Sequence, residues 1–169
     1  MRDIGELKWF LGIRIIRDRL KRKVWLCQDS YIKKIAYTFH LTDGKAPATP
    51  MATDELLPYN GQASPQEIYR YQRKIGSLTY ATAITRLDVS RTASKLAEFL
   101  TNPSPTHHAA AERAIRYLYH HKGLAIEYGS TDDTLQAFTC ASDAAFGDNI
   151  ATRESTKGFL FYLFSGLID

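Results

Sequence analysis

Apolar and polar positions follow three different rhythms along this chain. The stretches "LKWFLGIRII" and "KVWLC" are rich in β-branched and aromatic residues and flank the polar "RDRLKR". That pattern predicts a β-hairpin, with residues 8–17 pairing with 23–28. Gly12 inside the first run predicts a bulge or a place where another backbone comes close. Beyond it the rhythm becomes helical. In "DSYIKKIAYTFHL", Ile32, Ile35, Ala36 and Phe39 fall on one face, with Asp29 or Ser30 as cap.

Residues 44–63 carry Gly, Pro, Thr and Asn without periodicity, the texture of a linker. Helix resumes at "SPQEIYRYQRKIGSLTYATAIT", where Ser64 caps, Pro65 fits the first turn and Glu67 completes a capping box. Ile68, Tyr71, Ile75, Leu78 and Thr79 form its apolar stripe, and Gly76-Ser77 suggests a close helix neighbour. A third helix spans 88–100, with Val89, Ala93, Leu96, Ala97 and Leu100 inward. A fourth runs from a Thr106 cap to a Gly123 stop, with Ile115, Leu118 and Tyr119 facing a core.

After Gly123 the pattern shortens. "LAIEYG", "LQAFTCAS" and "KGFLFYLF" read as three strands of one further sheet, with a fourth element starting in "LFSGLID". The fold expected is therefore α+β: an N-terminal β-hairpin, a helical middle of about four helices and a partial C-terminal β-sheet. The expected divisions are 1–43, a linker at 44–63, a helical region at 64–123 and a sheet at 124–169. Phe159, Phe161, Leu163 and Phe164 are expected to be an aggregation hazard if that sheet stays uncovered.

Composition narrows the classes. The 169 residues are 44% hydrophobic and 24% charged, ordinary for a soluble domain. No apolar run is long enough for a membrane span, and "MRDIGELKWF" is too charged for a secretory signal, so an intracellular protein, in cytoplasm or nucleus, is expected. Cys27 and Cys140 have no metal-binding spacing and read as reduced thiols. Net charge is +4, but the first 34 residues hold ten Lys or Arg against four Asp or Glu, and the remainder is net acidic. A basic end is a candidate phosphate-binding surface, although basic runs are usually solvated hairpin tips. Trp9, Phe10 and Trp25 interleave with Arg14, Arg17, Arg19, Lys21, Arg22 and Lys23 there, the combination that stacks bases and holds phosphates. Period-two alternation commits one face of the hairpin to a core, which claims at least one of the aromatics.

Catalytic chemistry is harder to find. Asp143 follows a short strand beginning at Phe138, where a metal site could begin, but Asp132, Asp133, Asp148 and Glu154 lie in turns, where acids are mostly solvated. His107-His108 and His120-His121 sit at opposite ends of one helix, about 20 Å apart at 1.5 Å per residue, too far to share a metal. There is no Ser/His/Asp grouping and no Gly-rich phosphate loop.

Several stretches, in order, resemble copia-type retrotransposon Pol proteins: "MRDIGELKWFLGIRI", "LCQDSYIKKIAYTFHL", "TPM" at 49–51, "YRYQRKIGSLTYATAITRLDVS", "PTHHAAAERAIRYLYHHKGLAIEYG", and "ASDAAFGD" with "RESTKGFLFYLFSGLI". The resemblance covers nearly the whole chain. It implies that Trp9-Phe10-Leu11-Gly12-Ile13 is the primer-grip hairpin of a reverse transcriptase, with the following helices as thumb and connection against a primer–template duplex. It also implies that residues from 124 open an RNase H domain in which Asp143 is the first metal-binding aspartate. Two departures stand out: Ala145 and Phe146 replace an acid and a tryptophan in that aspartate motif, and Leu87 replaces the proline of "TRPD".

The partners implied are an RNA–DNA hybrid or duplex and the rest of the Pol polyprotein, with no membrane and no small-molecule substrate. Mg²⁺ is implied for the full-length enzyme and none for this chain alone, since the resemblance puts the remaining carboxylates outside it. Neither polymerisation nor RNA hydrolysis is expected of it, and Asp143 would hold a metal only with ligands from another chain. A retained nucleic-acid-binding module and a translated relic are the alternatives.

Overall fold

A computed structural model describes residues 5–53, 56–129, 137–147, 153, 155–164 and 166–168. It is α+β, with an antiparallel N-terminal sheet, four α-helices in the middle and a three-stranded sheet at the C-terminal end among the described residues. No helix among them is long and apolar enough to cross a membrane. The chain separates into two compact units.

The helical unit comprises Leu11–Ile13 and Cys27–Leu124. Helices α1 (Asp29–Thr38), α2 (Pro65–Thr82), α3 (Ser90–Ala97) and α4 (Pro105–His120) pack around one apolar core. Ile32, Ile35 and Ala36 enter it from α1, Tyr71, Ile75, Leu78 and Ala81 from α2, Ala93 and Leu96 from α3, and Ala111, Ala114, Ile115 and Leu118 from α4. Each large side chain so buried stabilises the unit by about 1.5–3 kcal/mol. The inward stripes are those read from spacing, except that Thr79 is exposed and Phe39, Ile68, Ala97, Leu100 and Tyr119 are only half-buried.

The α2 start matches its sequence signature: Ser64 Oγ accepts from the Glu67 N–H while the Glu67 carboxylate accepts from the Ser64 N–H at 2.7 Å. The expected caps of α1 and α4 need correction. Gln28, with no side-chain cap bond, precedes α1. Ser104, not Thr106, caps α4, because Pro105 fits the first helical position and His107 closes the box in the glutamate's place. The third helix is also split, with a 3-10 turn at Leu87–Val89 before α3.

Three polar side chains sit inside this unit on hydrogen bonds to neighbouring groups. Arg86, 1% exposed, holds Asp88 with two hydrogen bonds of 2.9 and 2.7 Å and donates a third to the His121 carbonyl. Thr85 donates to Gln28 at 2.8 Å. The "TRLD" run is thus a structural lock joining the 3-10 turn to the end of α4 and the start of α1. Lys74 is mostly buried against Glu112 at 2.7 Å. The described part of 44–63 is pinned to the helices: Arg113 donates to the Thr49 carbonyl, and Asn102 donates to the carbonyls of Tyr59 and Gly61.

Gly76 corrects another expectation. No helix packs closely on it; it is exposed, and a Cβ there would meet nothing within 4 Å. A glycine inside a helix costs roughly 0.5–1 kcal/mol relative to alanine, and no packing contact offsets that cost here.

The β-rich unit comprises the segment up to Phe10, Arg14–Leu26, and the chain from Ala125. Strands β1 (Trp9–Phe10), β2 (Ile13–Asp18), β3 (Lys23–Cys27) and β4 (Ile126–Tyr128) form one sheet in that order. The predicted long first strand is therefore broken. Leu11 (φ 48°) and Gly12 (φ 77°) form a two-residue turn rather than a bulge, since consecutive left-handed residues reverse a chain with the twist a hairpin needs. "LAIEYG" also corrects the reading: it pairs with β3 (Val24 opposite Tyr128) and not with the later strands.

The second sheet is β5 (Phe138–Ala145), β6 (Thr156–Leu163) and β7 (Gly166–Leu167). Gly166 lies so close to the Tyr128 ring that a Cβ would overlap it, and Tyr128 donates to the Leu167 carbonyl at 2.7 Å.

Candidate nucleic-acid interface

The N-terminal sheet places the predicted contact residues in three groups. Trp9, Arg14 and Arg17 line one cleft of about 280 Å³ together with Lys8 and Glu6. Trp9 and Phe10 are each at least half exposed, and Leu11, in the turn that follows, is 71% exposed. Trp9, Phe10 and Leu11 thus put three successive large apolar side chains at the surface. Leu11 and Gly12 form the turn, whose Leu11 carbonyl accepts from the Tyr80 hydroxyl of α2 at 2.9 Å. Arg19, Lys21 and Arg22 occupy the β2–β3 turn around a fully exposed Leu20.

The cations in that turn are not equivalent. Asp18 accepts from the Lys21 N–H at 3.0 Å and pairs with its ammonium at 3.6 Å. That N–H, aided by the nearby positive charge, holds the Asp18 carboxyl below its ordinary range. Among the described residues no carboxylate pairs with Arg17, Arg19 or Arg22. Lys23 and Trp25 are both committed to Glu127 across the sheet, the indole N–H donating at 2.6 Å, and these bonds, the lysine's first, keep Glu127 ionised below its usual range. Trp25 is therefore the aromatic claimed by the fold, and Trp9 and Phe10 are the ones left outside.

Asp143 is not at a strand end as the sequence suggested. Pairing of β5 with β6 continues to Ala145, so Asp143 lies within the strand opposite Gly158. It shares a face with Thr139, Ala141, Leu160 and Tyr162, since directly opposed residues face the same way. Its Oδ1 accepts from the Ala144 N–H, and no cluster of three potential metal ligands forms among the described residues. Asp132, Asp133, Asp148 and Glu154 lie outside the described residues. The described surroundings of Asp143 do not fit Mg²⁺, because two-metal chemistry needs several converging carboxylate oxygens and this face supplies one. The other face of β5–β6 is a phenylalanine ladder, with Phe138 stacked on Phe161 at 5.9 Å and Phe159 beside it at 5.4 Å.

The histidines divide by role. His107 is buried and stacked on Phe99 at 3.8 Å. Its Nδ1 accepts from the Ser104 N–H and its Nε2 donates to the Leu57 carbonyl, so both nitrogens serve the fold. Burial lowers its pKa, and burial followed by the Lys74 charge lowers that of His108.

Sequence spacing does not mark Tyr80, which lies on the outer side of α2 where no apolar period runs.

No family model matches the chain, and no solved structure matches it. Known proteins do. It is 31% identical to the retrovirus-related Pol polyprotein from transposon TNT 1-94 of Nicotiana tabacum over 100% of this chain and 13% of that protein. It is 29% identical to a transposon Ty5-1 protein of Saccharomyces cerevisiae over 96% of this chain and 52% of that one. It is 30% identical to the retrovirus-related Pol polyprotein from transposon RE1 of Arabidopsis thaliana, over 96% of this chain and 11% of the relative. The chain thus spans between about a tenth and half of the length of these relatives.

Proposed function

We propose, since the chain belongs to the Pol polyproteins of copia-type retrotransposons, that it grips an RNA–DNA hybrid or primer–template duplex through its N-terminal hairpin and by itself neither extends nor cuts it. The observation that carries this reading is the end of β2 and the turn that follows it, where Arg17, Arg19 and Arg22 are exposed without a carboxylate partner among the described residues. Each phosphate that such a cation neutralises releases counterions, which gives affinity without sequence preference. Trp9 and Phe10 add exposed ring faces for stacking on a strand end. The roles of primer grip for residues 9–13, thumb and connection for the helices, and RNase H opening for β5 and β6 are part of the same proposal.

Asp143 is a vestigial position in this reading, and no catalytic step is assigned to it. The test is a labelled RNA–DNA hybrid incubated with the purified chain and Mg²⁺ or Mn²⁺. Retention of intact hybrid on the protein is expected. Cleavage or extension abolished by Asp143→Ala would overturn the inert part of the reading.

The apolar faces of β5 and β6 favour a second reading, in which this sequence works only beside the rest of a Pol polyprotein or persists as a relic. Phe138, Phe159, Leu163 and Phe164 are each at least two-fifths exposed, an aggregation liability for an isolated sheet. Cooperative melting of the isolated chain as a soluble monomer would count against it.

A further inference from the structure

A pocket of about 800 Å³ lies within the helical unit, between α4 and the segment that leads to α2. Ala109, Ala110 and Arg113 of α4 form its floor, and Met51, Leu56 and Tyr59 form its wall. Small side chains on the floor leave the room, and the apolar wall gives it a surface that water wets poorly. A volume of this size and a mostly apolar lining with few polar groups suit a small-molecule ligand.

The wall is held off the helix by hydrogen bonds along its length. At one end Arg113 donates through Nε to the Thr49 carbonyl at 3.2 Å and through Nη2 to the Thr49 hydroxyl at 3.1 Å. In the middle His107 donates to the Leu57 carbonyl at 3.0 Å. At the other end Asn102 donates to the carbonyls of Tyr59 and Gly61 at 3.2 and 2.9 Å. A segment tethered at three places still leaves Leu57 62% and Tyr59 37% exposed. Its bonds hold the backbone in place without closing the apolar side chains onto α4.

Arg113 is the one charged side chain on the lining among the described residues, and no carboxylate among them pairs with it. The Thr49 bonds fix the plane of its guanidinium and leave Nη1 without a partner among those residues. A guanidinium fixed in this way presents its remaining N–H groups to an oxyanion at little further entropic cost.

We propose that this pocket binds a small apolar carboxylic acid, with the carboxylate on Arg113 and the hydrocarbon body against Met51, Leu56 and Tyr59. Charge complementarity selects the anion, and the apolar wall selects a hydrocarbon body over a bare phosphate or a sugar. The molecule is a ligand and not a substrate, since no nucleophile or general base on the lining is assigned a step. The inference is independent of the hairpin grip.

The test is calorimetric titration of the full chain with decanoate, with decanol of the same chain length and with inorganic phosphate. Decanoate is expected to bind more tightly than decanol by roughly tenfold, the worth of a charge-assisted hydrogen bond, and phosphate is expected to bind far more weakly than either. Arg113→Gln is expected to bring decanoate down to the decanol level and to leave decanol binding intact, which shows the pocket still standing. Ala109→Leu fills the floor with a residue that favours helix, and is expected to abolish binding of both while the melting temperature holds. Decanoate binding that Ala109→Leu does not alter, or that decanol or phosphate equals, would overturn the assignment. So would failure of the wild type to bind decanoate. Loss of decanol binding in Arg113→Gln would make the arginine a brace for the wall and overturn its role as the seat of the anion.

Discussion

The Tyr80 hydroxyl donates a 2.9 Å hydrogen bond to the carbonyl of Leu11, a residue held in the left-handed region at φ 48°. A leucine there is strained, by roughly 1–3 kcal/mol, and its 71% exposed side chain recovers little of that through burial. Asparagine followed by glycine is the favoured sequence for such a turn. Leu11→Asn is therefore expected to stabilise the chain by about 1 kcal/mol in urea denaturation while lowering hybrid affinity. Tyr80→Phe is expected to cost about 0.5–1 kcal/mol at most and to speed amide exchange at Gly12 and Ile13. If Leu11→Asn leaves binding unchanged, the turn is not a contact.

Arg86 and Asp88 provide a structural prediction. The guanidinium is almost wholly buried, whereas the Asp88 side chain is 34% exposed, so water screens part of the charge left behind when the arginine is removed. Arg86→Met is expected to cost roughly 2–3 kcal/mol, below the usual range for breaking a fully buried pair. Arg86→Lys keeps the charge and loses the two-pronged geometry, so it is expected to fall in between. Denaturation followed by helical circular dichroism measures both. An Arg86→Met variant as stable as wild type would show that the "TRLD" lock does not support the helices.

His107 and His108 predict a pH dependence. Burial lowers both folded-state pKa values below the unfolded value of about 6.5. The unfolded chain therefore binds protons first as pH falls, so their contribution is complete above about pH 6.5 and is lost progressively below it. The lowered carboxylates, Asp18, Glu67 and Glu127, act only in a more acidic window. Stability measured between neutral and mildly acidic pH is expected to fall, and His107→Gln is expected to flatten part of that slope. A wild-type profile flat across this window would contradict the buried neutral assignment.

How much of this was legible depended on whether the cause was local. Ser64, Pro65 and Glu67 announce α2 because a capping box is closed within four residues. Leu11 did not announce its turn, since alternation counts faces and is blind to a left-handed leucine. The pairing of Val24 with Tyr128 joins residues far apart in sequence, and three short apolar runs after Gly123 gave no local sign that the first belonged elsewhere. Exposed basic positions at the hairpin tip were legible from charge. The lone use of Asp143, the commitment of Trp25 to Glu127 and the open space at Gly76 required side-chain neighbours to be seen.

The most direct measurement of the hairpin grip is hybrid affinity across a salt series for wild type and for the combined Arg17→Gln, Arg19→Gln, Lys21→Gln and Arg22→Gln variant. Binding by wild type should weaken steeply with salt, and the variant should bind less tightly with a log–log slope smaller by about 3–4, at roughly 0.9 per lost phosphate contact. Equal affinity and equal slope for the two proteins would contradict the grip.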